Sequence, residues 1–106
     1  TNLGLYSNTF FGTIPTELGK ITGLQLFLAS SNTFSGTIPT ELGRLTDLQY
    51  FYTDTNFLTG AIPSELGHLI AVIDVYVQNN LLTGTFPSEL GKANALQVLY
   101  AFNNSL

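Results

Sequence analysis

Apolar and polar positions along the chain repeat together every 24 residues. Four segments align without gaps: GTIPTELGKITGLQLFLASSNTFS from Gly12, GTIPTELGRLTDLQYFYTDTNFLT from Gly36, GAIPSELGHLIAVIDVYVQNNLLT from Gly60 and GTFPSELGKANALQVLYAFNNSL from Gly84. A partial unit, TNLGLYSNTFF, precedes them. The chain therefore divides into a partial unit 1–11 and units 12–35, 36–59, 60–83 and 84–106 of a single array. Four columns are apolar throughout: Ile14, Ile38, Ile62, Phe86; Leu18, Leu42, Leu66, Leu90; Leu24, Leu48, Val72, Leu96; and Phe10, Phe34, Leu58, Leu82, Leu106. No unit buries these side chains alone, so successive units must stack into a solenoid.

Within each unit one stretch alternates with period two, which predicts strands at 3–6, 26–30, 50–54, 74–78 and 98–102. Their inward positions are Leu3 and Leu5, Phe27 and Ala29, Phe51 and Thr53, Val75 and Val77, Leu99 and Ala101. Stacked units would pair these strands in parallel, about 4.8 Å apart, into a five-stranded sheet. Just after each strand stands an asparagine: Asn8, Asn32, Asn56, Asn80, Asn104. An inward Asn there can bond backbone groups that a tight turn leaves unpaired, and stacked copies form a ladder. Gly12, Gly36, Gly60 and Gly84 open the next segment, and Gly19, Gly43, Gly67 and Gly91 close a short helical turn. Both columns suit positive φ or a close backbone approach. Pro15, Pro39, Pro63 and Pro87 fix φ where that turn begins.

Composition narrows the function. At 106 residues there is room for one domain, and 44% apolar content is enough for a core. Only 9% of residues are charged, so solubility rests on Asn, Thr, Ser and Gln. Seven acids against three bases argue against a nucleic-acid or anionic-lipid partner. The absence of cysteine excludes disulfides, thiolate metal sites and cysteine nucleophiles. No apolar run approaches the roughly 20 residues that span a bilayer. The chain starts at Thr1 inside a repeat, as expected of a processed or excised piece.

The run from strand through Asn to GTIPTELG resembles the plant-type leucine-rich repeat, LxxLxLxxNxLxGxIPxxLGxLxxL, over essentially the whole chain. The resemblance implies an α/β solenoid of about 4.5 coils. A parallel sheet would line its concave face, with short 3-10 or helical turns and loops on the convex face. It also implies an extracellular or cell-surface, non-catalytic protein that binds peptides, proteins or glycans. Two departures stand out. The second inward strand position, usually Leu, is Ala29, Thr53 and Ala101, so the core thins there or Phe27 and Phe51 fill it. The paired-Cys caps common in the family are missing, so both ends are expected to expose apolar side chains and strand edges, or to stack on other copies into a fibril.

The outward strand positions form the candidate binding face. They include Tyr6, Leu28, Tyr50, Tyr52, Asp54, Asp74, Tyr76, Gln78, Tyr100 and Phe102, and all five tyrosines of the chain are among them. Tyrosine offers a large rigid surface plus a hydroxyl and is favoured at recognition surfaces. The competing explanation is that aromatic residues simply pack in ladders on strands. Rings with Asp54, Asp74 and Gln78 between them would also suit a sugar.

A second surface carries hydroxyl columns: Thr13, Thr37, Ala61, Thr85; Thr16, Thr40, Ser64, Ser88; and Ser35, Thr59, Thr83. Regular threonine arrays resemble an ice-binding face, which some plant-type repeat proteins have. The alternative is that these residues cap the helical turns. Glu17, Glu41, Glu65 and Glu89 each precede a base by three residues (Lys20, Arg44, His68, Lys92), a spacing that suits weak ion pairs. Four equivalent glutamates make poor acid/base catalysts, which need differently tuned carboxyls. No nucleophile–base set, phosphate loop or metal cluster is evident, and no cofactor is expected. Asn103, in Asn103-Asn104-Ser105, is the one N-glycosylation candidate.

Overall fold

The computed structural model describes residues 1–5 and 7–106. Its strands are β1 (Asn2–Gly4), β2 (Phe11–Thr13), β3 (Leu26–Leu28), β4 (Thr33–Thr37), β5 (Tyr50–Tyr52), β6 (Phe57–Gly60), β7 (Asp74–Tyr76), β8 (Leu81–Leu82) and β9 (Val98–Tyr100). Between them lie four 3-10 turns: η1 (Thr16–Lys20), η2 (Thr40–Arg44), η3 (Ser64–His68) and η4 (Ser88–Lys92). The odd-numbered strands form a five-stranded parallel sheet in the order β1-β3-β5-β7-β9, the expected concave sheet. Each pairs with the equivalent residues of the next coil, Leu26 with Tyr50 and Tyr50 with Asp74.

These strands end two residues earlier than the alternation predicts, yet the ladder runs on past them. Ala29 N donates to Tyr52 O at 2.7 Å, and Ser31 N to Asp54 O at 3.0 Å. The chain then turns through a left-handed residue in every coil: Ser7, Ser31, Thr55, Asn79 and Asn103, at φ 53 to 57°.

The even-numbered strands form a second, four-stranded parallel sheet in the order β2-β4-β6-β8. Sequence patterning predicts loops there, because these strands are short and Thr, Ser and Gly break up their apolar residues. The hydroxyl residues also do not cap the 3-10 turns. Each turn is preceded by its proline in extended conformation, with no side-chain cap bond. Thr16, Thr40, Ser64 and Ser88 are instead the first residues inside the turns. The glutamates and bases of the turns form no ion pair among the described residues.

The core follows the repeat, with one column beyond those read from the sequence: Leu45, Leu69 and Ala93 are buried under the 3-10 turns. Where the second inward position is small, Phe27 and Phe51 fill the space and stack with ring centroids 5.7 Å apart. The glycine columns divide by role. Gly36 and Gly60 take φ of 75° and 74°, whereas Gly43 lets two coils touch, since a Cβ on it would stand 2.6 Å from Glu65 O. The molecule measures 31 × 29 × 21 Å.

Candidate functional site

The asparagine column ties the two sheets together. Asn56 Nδ2 donates to Ala29 O of the preceding coil at 2.9 Å and to Thr53 O of its own coil at 3.1 Å. Its Oδ1 accepts from Phe34 N, in the second sheet, at 3.0 Å. Asn32, Asn80 and Asn104 make the same set of contacts. Asn8 occupies the same column at the open N-terminal end and is exposed.

This framework holds the strands of the concave face in register, so equivalent side chains stack. Tyr52, Tyr76 and Tyr100 form a continuous row. The first two rings lie 4.2 Å apart and 6° from parallel, the next two 4.8 Å and 26°. Tyr50 meets Tyr52 edge-on at 6.1 Å, and Phe102 tilts against Tyr100 at 6.0 Å. The row is flanked by carboxylates. Tyr52 donates its hydroxyl to Asp74 at 3.2 Å on one side, while on the other Ser30 donates its hydroxyl to Asp54. Burial, then the adjacent Asp74 carboxylate, holds the Tyr52 phenol well above the usual tyrosine range. It therefore remains a protonated donor at physiological pH.

The expected site residues are thus brought together on one surface, with differences in access. Leu28, Tyr50, Tyr52, Asp54, Asp74 and Tyr76 are half-buried, and Tyr100 and Phe102 are exposed. Gln78 is largely covered: it is only 9% exposed, and its Oε1 is buried with no hydrogen-bond partner. Tyr6 lies outside the described residues.

No protein-family model matches the chain, and no curated protein matches it. Solved structures do. The ectodomain of the plant membrane receptor kinase GASSHO1/SCHENGEN3 from Arabidopsis thaliana, in complex with CASPARIAN STRIP INTEGRITY FACTOR 2, is 40% identical with a TM-score of 0.89, over 91% of this chain and 12% of that one. The plant peptide hormone receptor RGFR1, in complex with RGF2, is 37% identical with a TM-score of 0.96, over 97% of this chain and 16% of that one. The chain belongs to the plant-type leucine-rich repeat family. A plant ice-binding protein shares the architecture, at 25% identity and a TM-score of 0.90, over 96% of this chain and 34% of that one. This repeat array thus spans only a small part of the proteins it resembles.

The array's second sheet presents a different surface, in a segment where the repeat pattern predicts loops. Its outer positions carry no charge and hold Thr13, Ser35, Thr37 and Thr59 beside Phe11, Phe57 and Leu81. Phe11 is 85% exposed. The hydroxyl residues line up only in pairs, Thr13 with Ser35 and Thr37 with Thr59, before Phe57 and Leu81 interrupt the rows. At the far end of the array the glycosylation candidate Asn103 is exposed and donates to Asn79 Oδ1 at 2.7 Å.

Proposed function

We propose that this repeat array is a non-catalytic recognition module, working outside the cell, that binds a peptide or protein segment across its concave face. The observation that carries this reading is the Tyr52–Tyr76–Tyr100 row with carboxylates on both flanks. A rigid aromatic row with hydroxyls along it is a low-entropy contact surface. Stacking covers both faces of Tyr76, so a sugar finds few ring faces to lie on, and the row favours a peptide over a glycan. Of the two receptors described above, one is an ectodomain solved with a bound factor and the other a peptide hormone receptor, which supports the same choice.

Panning the array against a phage-displayed random dodecapeptide library tests the proposal. Peptides retained by the wild-type surface should lose at least tenfold in affinity to Tyr76→Ala and Tyr100→Ala, with circular dichroism unchanged. Retention that is indifferent to both substitutions would sink the reading.

A second reading, ice binding by the second sheet, draws on the likeness to the plant ice-binding protein and on the uncharged outer face. It ranks lower because Phe57 and Leu81 interrupt the hydroxyl rows. Inhibition of ice recrystallisation, abolished by Thr59→Asp, would favour it; crystal growth equal to a buffer control would end it.

A further inference from the structure

The triplet Asn103-Asn104-Ser105 has the Asn-x-Ser form of an N-glycan acceptor, and peptide recognition leaves it unused. The repeat shows what kind of position it occupies. Its first residue belongs to the column Ser7, Ser31, Thr55, Asn79, Asn103, which turns the chain through the left-handed region between the two sheets. Its second is the ladder asparagine, and its third belongs to the column Thr9, Thr33, Phe57, Leu81, Ser105. The first and third columns are exposed in every coil, while Asn32, Asn56 and Asn80 between them are buried. Asn79 holds the same place as Asn103 with a coil on either side of it and is also exposed. The openness of Asn103 is thus a property of the column. An amide in the first column meets a hydroxyl in the third in one coil alone. Ser7, Ser31 and Thr55 lack the amide, and Asn79 is followed by Leu81.

A sugar on Asn103 leaves the bonds of the fold in place. Asn104 turns inward, where its Nδ2 donates to Val77 O at 2.9 Å and to Ala101 O at 3.0 Å, and its Oδ1 accepts from Leu82 N at 3.0 Å. Ser105 N donates to Leu82 O at 2.8 Å. None of these bonds uses the Asn103 side chain. Asn103 Nδ2 donates one of its two hydrogens to Asn79 Oδ1 at 2.7 Å, and substitution takes the other. A bulky, hydrated glycan belongs on such a surface turn.

We propose that Asn103 is an N-glycan acceptor, its co-substrate a lipid-linked oligosaccharyl pyrophosphate met when the chain passes through a secretory pathway. This rests on the array working outside the cell, and not on which face binds peptide. In the transfer a bond forms between Asn103 Nδ2 and the sugar C1, and the bond from C1 to the pyrophosphate oxygen breaks. Nδ2 gives up one proton and the lipid pyrophosphate leaves. Ser105 supplies the hydroxyl that the transferring enzyme reads two residues on.

The test secretes the array from cultured human cells behind a cleavable signal peptide. Its intact mass is measured before and after digestion with peptide N-glycosidase. Wild type should carry one glycan, mapped to Asn103 by conversion of that residue to Asp on digestion. Ser105→Ala keeps the acceptor amide, alters an exposed side chain and should remove the glycan completely. Leu81→Ser builds the same triplet one coil earlier and should add a second glycan, at Asn79. A secreted wild-type array without sugar on Asn103, or a glycan there that survives Ser105→Ala, overturns the assignment. A glycan on Asn103 with none on Asn79 in Leu81→Ser overturns the column as the reason for it. Peptide capture by the concave face is measured separately, so either reading can fail while the other stands.

Discussion

In the five-stranded sheet a residue pairs with its equivalent one full repeat on, as Tyr52 does with Tyr76. In the four-stranded sheet the partner lies two residues short of a repeat, so Ser35 faces Phe57 and Gly36 faces Leu58. The same 24-residue sequence period thus has two outcomes. Where the register equals the period, one residue type in a column becomes a row on the surface, and three tyrosines become a stack. Where the register slips by two, columns are sheared and each row mixes types, so the hydroxyl rows stop after two strands, as Thr37 and Thr59 do at Leu81. A repeat in sequence builds a repeated surface only in the sheet whose pairing keeps its period.

The two registers coexist because the asparagine ladder bridges them, and removing one rung is the strongest way to break the comparison. Asn56 is buried and bonds carbonyls of the first sheet through Nδ2 and an amide of the second through Oδ1. Asn56→Ala leaves Phe34 N unpaired in the core and takes one of two donors from Ala29 O and Thr53 O, which keep Asn32 and Asn80. With about 1–3 kcal/mol for the orphaned amide and less for each shared carbonyl, the expected loss is about 2–4 kcal/mol. Urea unfolding measures it. The equivalent change at the half-buried Asn104, where water reaches the freed groups, should cost about 1–2 kcal/mol. Equal losses at both positions would show that the ladder's value does not depend on burial.

The 3-10 turns set the distance between coils on the convex side, and both registers depend on that spacing. At Gly43 an added Cβ meets backbone, Glu65 O at 2.6 Å, and backbone cannot swing aside. Gly43→Ala should therefore destabilise by about 1–3 kcal/mol. At Gly91 the same atom meets nothing within 4 Å. There Gly→Ala only restricts the unfolded chain and should stabilise by about 0.4–1 kcal/mol. The pair of melting temperatures should move in opposite directions. A common direction would mean that the coils are not in contact through this column.

How much of this was legible in the sequence follows from the same distinction. The 24-residue period led directly to the odd-numbered strands, their inward residues and the asparagine ladder, because all of these keep the period. Tyr52, Tyr76 and Tyr100 could be placed on one face for that reason. The second sheet could not be read: its pairing is offset from the repeat, and Ser35, Gly36 and Thr37 after Phe34 give no strand signal of their own. The burial of Gln78 was equally hidden. Period-two alternation assigns a side chain to a face, but not whether neighbours on that face close over it. Leu45, Leu69 and Ala93 were missed because a 3-10 turn buries the residue just after it, a position that strand alternation does not reach.

The smallest expected effect lies where the chain crosses from one sheet to the other. Thr55 sits there at φ 57°, in the left-handed region, as do Ser31, Asn79 and Asn103 in their coils. A β-branched residue is poorly suited to that conformation, whereas asparagine adopts it several-fold more readily. The asparagines of this column also bond along the array: Asn103 Nδ2 reaches Asn79 Oδ1 at 2.7 Å, while Asn79 Nδ2 reaches Thr55 Oγ1 only at 3.5 Å. Thr55→Asn relieves the strain and offers Asn79 an amide oxygen in place of a distant hydroxyl. It should stabilise by about 0.5–1 kcal/mol, seen as a higher urea midpoint with an unchanged slope. Thr55→Gly separates the two contributions, since glycine accepts the backbone but has no amide and adds unfolded-state freedom. If Asn gains no more than Gly, the side-chain ladder contributes nothing. If neither gains, the crossing between the two sheets holds Thr55 without strain, and the left-handed turn is set by the asparagine rung that follows it.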